Sequence, residues 1–182
     1  MKKATTIIQI VWIISAVIVC FGCAKQKPAS EWPMFTSQEG GFGVRFPGTP
    51  TQETKNIQPF PAHLFEYKAN EITPYVVVYS NVPAQPDPRG PDKIFADARQ
   101  TLLGKSGKPL QEIPITLNGN SGRELEWEPA YNDTNYGEGF AVAHFFVTPK
   151  HFYMVMVTMP SSDRFSTNYW RFLNSFQLLD GK

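Results

Sequence analysis

The sequence predicts an α+β domain in which a central antiparallel β-sheet is flanked by helices. Most segments alternate apolar and polar residues with the period of two that is typical of strands. Several of these segments are apolar on both faces, so the sheet must be covered on both sides. Apolar residues recur at helical spacing in two places, one in the middle of the chain and one at its end.

The first half of the domain contains four predicted strands. Residues 41–46 place alternate apolar side chains on one face and end at a Pro-Gly pair. Residues 52–57 form a more polar strand, which we expect near a sheet edge, and residues 63–69 form a third. Residues 74–80 are apolar on both faces and predict a central strand.

A helix is predicted after the proline-rich segment 82–91, which cannot form regular structure. Asp92 is the expected N-cap. An apolar stripe that includes Phe95 and Leu102 follows at helical spacing, and Gly104 is the expected stop.

The next two strands, over 110–117 and 123–128, are predicted to join through a turn at 118–122. Leu125 and Trp127 should face the core, so the alternate residues should form a solvated outer face. That face carries three carboxylates: Glu124, Glu126 and Glu128. A weak calcium site on this face is the alternative interpretation, because calcium prefers oxygen ligands.

The last part of the chain predicts a hairpin, a helix and a short final strand. Strands over 140–147 and 152–159 are apolar on both faces and join through a turn at 148–150. A helix from about Ser162 is predicted to present one apolar face. The residues assigned to that face are Phe165, Tyr169, Phe172, Leu173 and Phe176. Residues 177–179 predict the final strand.

Composition and motifs exclude several classes of function. The three histidines, at 63, 144 and 151, are not spaced as a metal-binding pair on one element, so no metal site or cofactor is predicted. His144 is expected to be a hydrogen-bonded core or sheet-edge residue. The sequence contains no hydrolase elbow, phosphate loop or dinucleotide fingerprint, and it identifies no catalytic residue. Without a basic run, nucleic-acid binding is not expected.

Residues 1 to about 23 predict a bacterial secretory signal. Two lysines supply its positive start, and the apolar run that follows is short for a membrane span. Cys23 is the predicted lipid-attachment site because Gly22 before it is small. Cys20 occupies the position where lipoprotein signals usually carry leucine, so the lipid-attachment motif is imperfect.

Two alternatives to lipidation stay open. Gly22 and Ala24 also satisfy the small-x-small rule for ordinary signal cleavage, which would release a soluble periplasmic or secreted protein. Residues 7–24 are just long enough to span a membrane as an uncleaved anchor. If Cys23 is lipidated in a Gram-negative cell, Ala24 in place of aspartate favours the outer membrane over the inner one.

The remaining chain divides into a flexible tether over 24–34 and a single domain over 35–182. Without Lys2 and Lys3 of the signal, 15 basic and 16 acidic residues remain, so the formal charge of the rest of the chain is −1. Both cysteines lie in the signal, so the domain cannot contain a disulfide.

Three segments resemble small bacterial exported proteins with a PsbP-like fold, most of which have no assigned function. They are Phe35-Thr36-Ser37 with residues 41–50, residues 119–126 and residues 171–178. The resemblance implies an α/β/α sandwich over nearly the whole domain. It also implies binding of a protein partner, because relatives with this fold, such as the PsbP subunit of photosystem II, bind and stabilise other proteins and are not enzymes.

One loop is the predicted partner-binding surface, since polar and aromatic loops on rigid sheets often bind partners. Its residues are Tyr131, Asn132, Asp133, Asn135, Tyr136 and Glu138. The function predicted is therefore a non-catalytic, membrane-tethered domain that binds a protein of the cell envelope. A small-molecule or lipid carrier would instead need a sizeable apolar cavity. A hydrolase with an unfamiliar site would need a buried acid–base pair in a cleft.

Overall fold

The computed structural model describes residues 31–57, 60–82, 90–104, 109–129 and 138–179 of the 182-residue chain. In chain order the strands and helices are β1 (Met34–Ser37), β2 (Phe42–Arg45), β3 (Thr51–Ile57), β4 (Phe60–Lys68), β5 (Pro74–Asn81), α1 (Pro91–Leu103), β6 (Gln111–Leu117), β7 (Asn120–Trp127), β8 (Gly139–Val147), β9 (His151–Pro160), α2 (Thr167–Asn174) and β10 (Gln177–Leu178). A short 3₁₀ helix, Ser161–Asp163, connects β9 to α2. No helix within these ranges is long and apolar enough to cross a membrane.

Seven strands form one antiparallel sheet in the order β3-β4-β5-β9-β8-β7-β6. The polar strand β3 lies at one edge, as its sequence predicts, since an edge strand can be solvated on both faces. The apolar strands β5, β9 and β8 lie in the middle of the sheet, where both faces are covered.

Different elements cover the two faces of this sheet. One face packs against α2 and a separate three-stranded sheet, β1-β2-β10. The opposite face packs against α1, chiefly over β7 and β8. The α+β class and the central antiparallel sheet predicted from the sequence are confirmed. The structure differs from the prediction in having a second sheet. Strands β1, β2 and β10 pair with one another and do not extend the large sheet.

Aromatic side chains fill the space between the large and small sheets. Phe42, which is fully buried on β2, has five other rings around it with centroids between 5.5 and 6.2 Å away. Those rings belong to Phe35, Phe65, Tyr79, Tyr153 and Phe176. Interlocked rings of this kind make a close-packed interior.

The packed fold also includes Trp32, which lies inside the range predicted to be tether. Its side chain is fully buried, and its ring meets Tyr75 edge-on at 5.7 Å. The Nη1 atom of Arg45 donates a hydrogen bond of 2.8 Å to the Trp32 carbonyl. The folded domain therefore begins before residue 35. The sequence did not predict this, because the residues around Trp32 are mostly polar and form no apolar pattern with it.

Helix α1 starts two residues earlier than its sequence suggests. Pro91 occupies the first helical position and Gly90 is the N-cap, so the prediction of Asp92 as the cap is wrong. Proline suits that position because it has no N–H to leave unbonded. Asp92 lies in the first turn instead, where its carboxylate accepts a 2.8 Å bond from Arg123. Gly104 ends the helix as predicted, with a φ of +67°.

The turn between β6 and β7 is tighter than the five residues predicted. Strand pairing continues to Leu117 and Asn120, so only two residues join the strands. These residues, Asn118 and Gly119, have φ values of 50° and 77°. Two successive positive φ values are the mark of a type I′ hairpin turn, in which asparagine followed by glycine is the favoured pair.

The carboxylates of β7 do not form the solvated face predicted for them. Glu124 and Glu126 are only 8% and 9% exposed, whereas Glu128, one residue beyond the strand, is exposed. Leu125 and Trp127 face α1 as predicted, but the opposite face of β7 is also covered, on the side where α2 packs. Within the described ranges, no group of three or more acidic, histidine or cysteine residues is arranged so that it could hold a metal ion.

The chain before α2 also departs from its predicted form. The helix begins at Thr167 rather than at Ser162, because Ser166 caps it by accepting a hydrogen bond from the Asn168 N–H. Phe165 therefore lies outside the helix and is 90% exposed, so its assignment to the apolar face is wrong. The other four residues assigned to that face are buried: Tyr169, Phe172, Leu173 and Phe176.

Candidate functional site

Most of the residues predicted to be functional lie outside the described part of the chain. These are Cys23 in the predicted signal and Tyr131, Asn132, Asp133, Asn135 and Tyr136 in the predicted partner loop. The last loop residue, Glu138, is described: it is exposed, and its carbonyl accepts a 2.9 Å hydrogen bond from the Ser161 N–H. The end of the predicted partner loop thus adjoins the 3₁₀ helix that leads to Phe165.

Phe165 is the most exposed large apolar side chain of the described residues, at 90%. The backbone beside it is held in place by its neighbour, Arg164. The Arg164 guanidinium lies 4.5 Å above the ring of Phe140, and its Nη2 atom is 3.4 Å from a carboxylate oxygen of Glu126. The Tyr169 hydroxyl donates a hydrogen bond to the Arg164 carbonyl. A firmly held chain therefore presents a bare aromatic ring to solvent.

Acidic residues accompany Phe165 at this end of the large sheet. Asp163 precedes it by two residues and is exposed, and Glu138 is joined to the same 3₁₀ helix through Ser161. The cation adjoining Phe165 in sequence, Arg164, is already engaged by Glu126 and Phe140. We call this exposed set, Phe165 with Asp163 and Glu138, the Phe165 face. It combines an apolar centre with negative charge.

A small polar pocket lies next to the Phe165 face, between the start of β5 and the start of α2. Its volume is about 80 Å³. The residues with polar side chains that line it are Asn70, Thr73, Tyr75, Asp163, Ser166, Asn168 and Tyr169. Thr73 is buried at 9% exposure, and its Oγ1 atom has no hydrogen-bond partner among the described residues. Burial, and then the charge of Asp163, raise the pKa of Tyr75 to about 12, so its hydroxyl is neutral at physiological pH.

A larger cleft, of about 720 Å³, lies at the opposite end of the sheet. The turns β1–β2, β6–β7 and β8–β9 meet there with Leu178 and Leu179. Polar side chains, among them Gln38, Asn120 and Lys150, line much of it. At its wall, burial and then the charge of Lys150 lower the pKa of His151. The carrier hypothesis requires an aromatic-walled apolar cavity, and the aromatic rings lie in the packed core instead.

Among the described residues, Glu124 and His144 form a buried acid–base pair. The Nε2 atom of His144 is 2.8 Å from a carboxylate oxygen of Glu124, and the two side chains are 8% and 10% exposed. His144 is therefore the hydrogen-bonded core histidine that its strand position predicts. The ring of Trp170, from α2, lies 6.4 Å from the imidazole. Neither residue lines the pocket or the cleft, so substrate would have no route to the pair through either.

No family model matches the chain, and no curated protein matches it. Among solved structures, it is similar to cyanobacterial PsbP (CyanoP) from Synechocystis sp. PCC 6803, whose solution structure superimposes with a TM-score of 0.57 at 10% sequence identity. The match covers 86% of this chain and 96% of that one. The chain therefore has a PsbP-like fold, and at this identity the likeness concerns the fold alone.

Proposed function

We propose that this chain, a domain with a PsbP-like fold, is a non-catalytic component of a bacterial cell envelope that is tethered by lipid on Cys23 and binds a protein partner. The observation that carries the proposal is the Phe165 face. An aromatic ring left 90% exposed on a well-held backbone gains nothing for folding. It is the kind of side chain that forms the central anchor of a protein interface.

The energy available at Phe165 is large enough to matter for binding. Burying an aromatic side chain in a partner contributes about 1.5–3 kcal/mol, which corresponds to roughly 10- to 150-fold in affinity. Asp163 and Glu138 add negative charge beside the ring, so the partner surface should be apolar with a basic rim. An anionic lipid surface would be repelled by the same carboxylates, which favours a protein over a membrane as the occupant.

The position of the tether agrees with an envelope partner. Nine Cα–Cα steps join Cys23 to Trp32, where the packed fold begins, and they can span at most about 32 Å. Trp32 packs on Tyr75, which lines the pocket beside the Phe165 face. A lipid on Cys23 would hold this end of the domain near the membrane, within reach of partners embedded there.

The proposal is non-catalytic because the acid–base pair Glu124–His144 is buried. Glu124 and His144 have the chemistry of an acid–base pair, but they lie in the interior beside Trp170 and bond to each other. General acid–base catalysis requires such groups to reach the substrate directly or through one water. The pair is therefore assigned to the fold rather than to a reaction.

The test is cross-linking and capture from native membranes with the full-length chain, comparing Phe165→Ala with Met34→Ala. Met34 is also a partly exposed apolar residue, at 38%, but it lies on β1 of the small sheet. We expect a specific partner band to be retained by the Met34 variant and reduced at least about tenfold by the Phe165 variant. Phe165→Leu, which keeps an apolar side chain, should retain part of the band.

Equal capture by the Phe165→Ala variant and the unmodified chain would overturn the assignment of this face. The tether is tested separately by the intact mass of the protein and by a Cys23→Ser variant. Lipidation predicts a diacylglyceryl mass increment and membrane retention, both lost in that variant. A protein cleaved after Ala24 and recovered in the soluble fraction would contradict the tether and leave the partner face open to the capture test.

A further inference from the structure

Strand β3 is an open edge of the large sheet. It pairs with β4 on one side, and no strand among the described residues lies on its other side. The side chains of residues 51–55 are all exposed, so this stretch of the edge is in contact with solvent. The backbone N–H and C=O groups along such an edge can pair with a strand from another chain.

Hydrogen bonds on the two sides of β4 show which backbone groups of β3 point outwards. The Glu66 carbonyl faces β3, because it accepts a bond of 3.1 Å from the Thr51 hydroxyl. Ala69, three residues further on, faces β5, because its N–H donates a bond of 3.1 Å to the Thr73 carbonyl. Successive residues of an antiparallel strand direct these groups to opposite sides, so Thr51 bonds β4 and the next residue does not. The residues of β3 whose backbone groups point outwards are therefore Gln52, Thr54 and Asn56.

The opposite edge of the sheet, β6, is closed to such pairing by a proline. Leu117 and Asn120 flank the two-residue turn and form a hydrogen-bonded pair. Pro114 lies three residues before Leu117, so its nitrogen, which has no hydrogen to donate, points away from β7. Proline at such a position is one of the ways in which proteins prevent edge pairing. The seven residues of β3 include no proline, so the two edges differ in what they permit.

The charges of β3 are complementary to those of a second, antiparallel copy. Within one chain Glu53 and Lys55 lie 3.5 Å apart, and their side chains are 61% and 52% exposed. If a two-fold axis passes through Thr54, Glu53 of each copy faces Lys55 of the other, and the outward backbone groups of the two strands pair. Moving the axis by one residue would place Glu53 against Glu53 or Lys55 against Lys55, which is destabilising. A lone lysine on an edge deters pairing, whereas this balanced pair selects one register.

We propose that β3 pairs with the β3 strand of a second copy of this chain, antiparallel and with the two-fold axis at Thr54. In the dimer the large sheets of the two copies form one continuous sheet. The contact involves a single short strand from each copy, which is small for an interface, so we expect weak association in solution. The lipid proposed on Cys23 would hold both copies at one membrane and raise their effective concentration. The pairing does not use Phe165 and is independent of the proposed partner.

The test is sedimentation of the full chain in density-matched detergent, up to millimolar protein concentration. We expect a monomer–dimer equilibrium. Glu53→Lys and Lys55→Glu should each weaken the dimer at least about tenfold, because two attractive cross-strand pairs become repulsive. An equimolar mixture of these two variants should dimerise as well as the unmodified chain, since the lysines of one variant then face the glutamates of the other.

Two further variants separate this edge from the rest of the surface. Lys68→Glu is the matched control, because Lys68 pairs with Glu66 at 3.6 Å with the same spacing along β4. It should leave the dimer unchanged. Thr54→Pro removes an outward N–H without removing a backbone hydrogen bond to β4, which repeats on β3 the arrangement at Pro114. It should abolish the dimer while the melting temperature stays close to that of the unmodified chain.

A chain that stays monomeric at every concentration would overturn the inference. So would a dimer that Thr54→Pro and the charge variants leave intact, because it would form through another surface. A mixture of the two charge variants that dimerises no better than either alone would exclude this register. If Thr54→Pro instead reduced the capture of a different protein by a monomeric chain, the edge would take a strand of that protein rather than a second copy. Phe165→Ala should dimerise normally, so failure of the dimer and failure of the proposed function are distinguishable.

Discussion

The buried Glu124–His144 pair is the most consequential polar contact of the interior. Its atoms are 2.8 Å apart, and both side chains are about nine-tenths buried. Removing one partner leaves the other buried without its hydrogen bond, whereas removing both leaves no unpaired group. We therefore predict that His144→Leu and Glu124→Leu are each strongly destabilising and that the double variant is less destabilised than either one.

The size of the effect follows from the burial. Breaking a buried pair by removing one partner costs about 3–5 kcal/mol of unfolding free energy. For a domain of about 150 residues, each kcal/mol lowers the melting temperature by roughly 2–4 °C, so each single variant should melt about 6–20 °C lower. Urea unfolding of the two single variants and the double variant completes a double-mutant cycle, and the coupling energy should exceed about 2 kcal/mol.

Glu128 supplies the matched control for this cycle. It follows the same strand with the same alternation as Glu124 but is exposed. Glu128→Gln should change the unfolding free energy by no more than about 0.5 kcal/mol. Single variants that each cost less than about 1 kcal/mol, or a double variant whose cost is the sum of the two, would refute the reasoning, since either result would mean that water reaches the pair.

Two further predictions concern the core of the sheet. Burial raises the pKa values of Tyr75 and Tyr153 from 10.0 to about 12, so the folded state holds these two protons more tightly than the unfolded state does. The free energy of unfolding should therefore fall as the pH rises from about 10 to 12. Tyrosinate absorbance of these residues that appears only on unfolding would confirm the prediction, and titration of both near pH 10 in the folded protein would contradict it. Gly122→Ala should cost about 1–3 kcal/mol by urea unfolding, because a Cβ there would lie 2.5 Å from the Phe145 carbonyl oxygen; an unchanged midpoint would mean that the strand shifts freely.

The large sheet could be predicted from the sequence because strand periodicity is local. Strands β5, β8 and β9 are apolar on both faces, and the structure places all three at the centre of the sheet. The hairpin turn at 148–150 also follows from a short break between two such runs. The second sheet could not be predicted in this way, since its strands come from opposite ends of the domain and pair only through the tertiary fold.

The same locality explains the wrong prediction for β7. Alternation correctly assigns Leu125 and Trp127 to one buried face, but it cannot tell whether a distant element covers the other. A charged face is normally solvated because buried carboxylates are costly without partners. Here the partners, His144 and Arg164, come from other elements, and sequence spacing gives no sign of either contact.

The assignment of Phe165 to the buried helix face was wrong for a different reason, and the sequence contained a residue that pointed to the correct answer. Helical spacing groups it with Tyr169 and Phe172, which are buried. Ser166, however, is one of the residues preferred at an N-cap, and a cap at that position places Phe165 outside the helix. If the N-cap preference of Ser166 is given more weight than the apolar stripe, the sequence predicts that Phe165 precedes the helix and is exposed.

Three residues that break the ordinary rules of burial lie in one region of the molecule, whereas one other, His151 with its unpaired Nδ1 atom, lines the cleft at the opposite end. Phe165 is apolar and exposed, Thr73 is buried and unpaired, and Glu126 is a buried acid that holds Arg164 in place. All three lie around the segment that joins β9 to α2. A sequence selected for stability alone would remove such features, and proteins keep them mainly at functional sites. Their convergence near Trp32, close to the start of the described chain, favours this end, rather than the larger polar cleft, as the surface for the proposed partner.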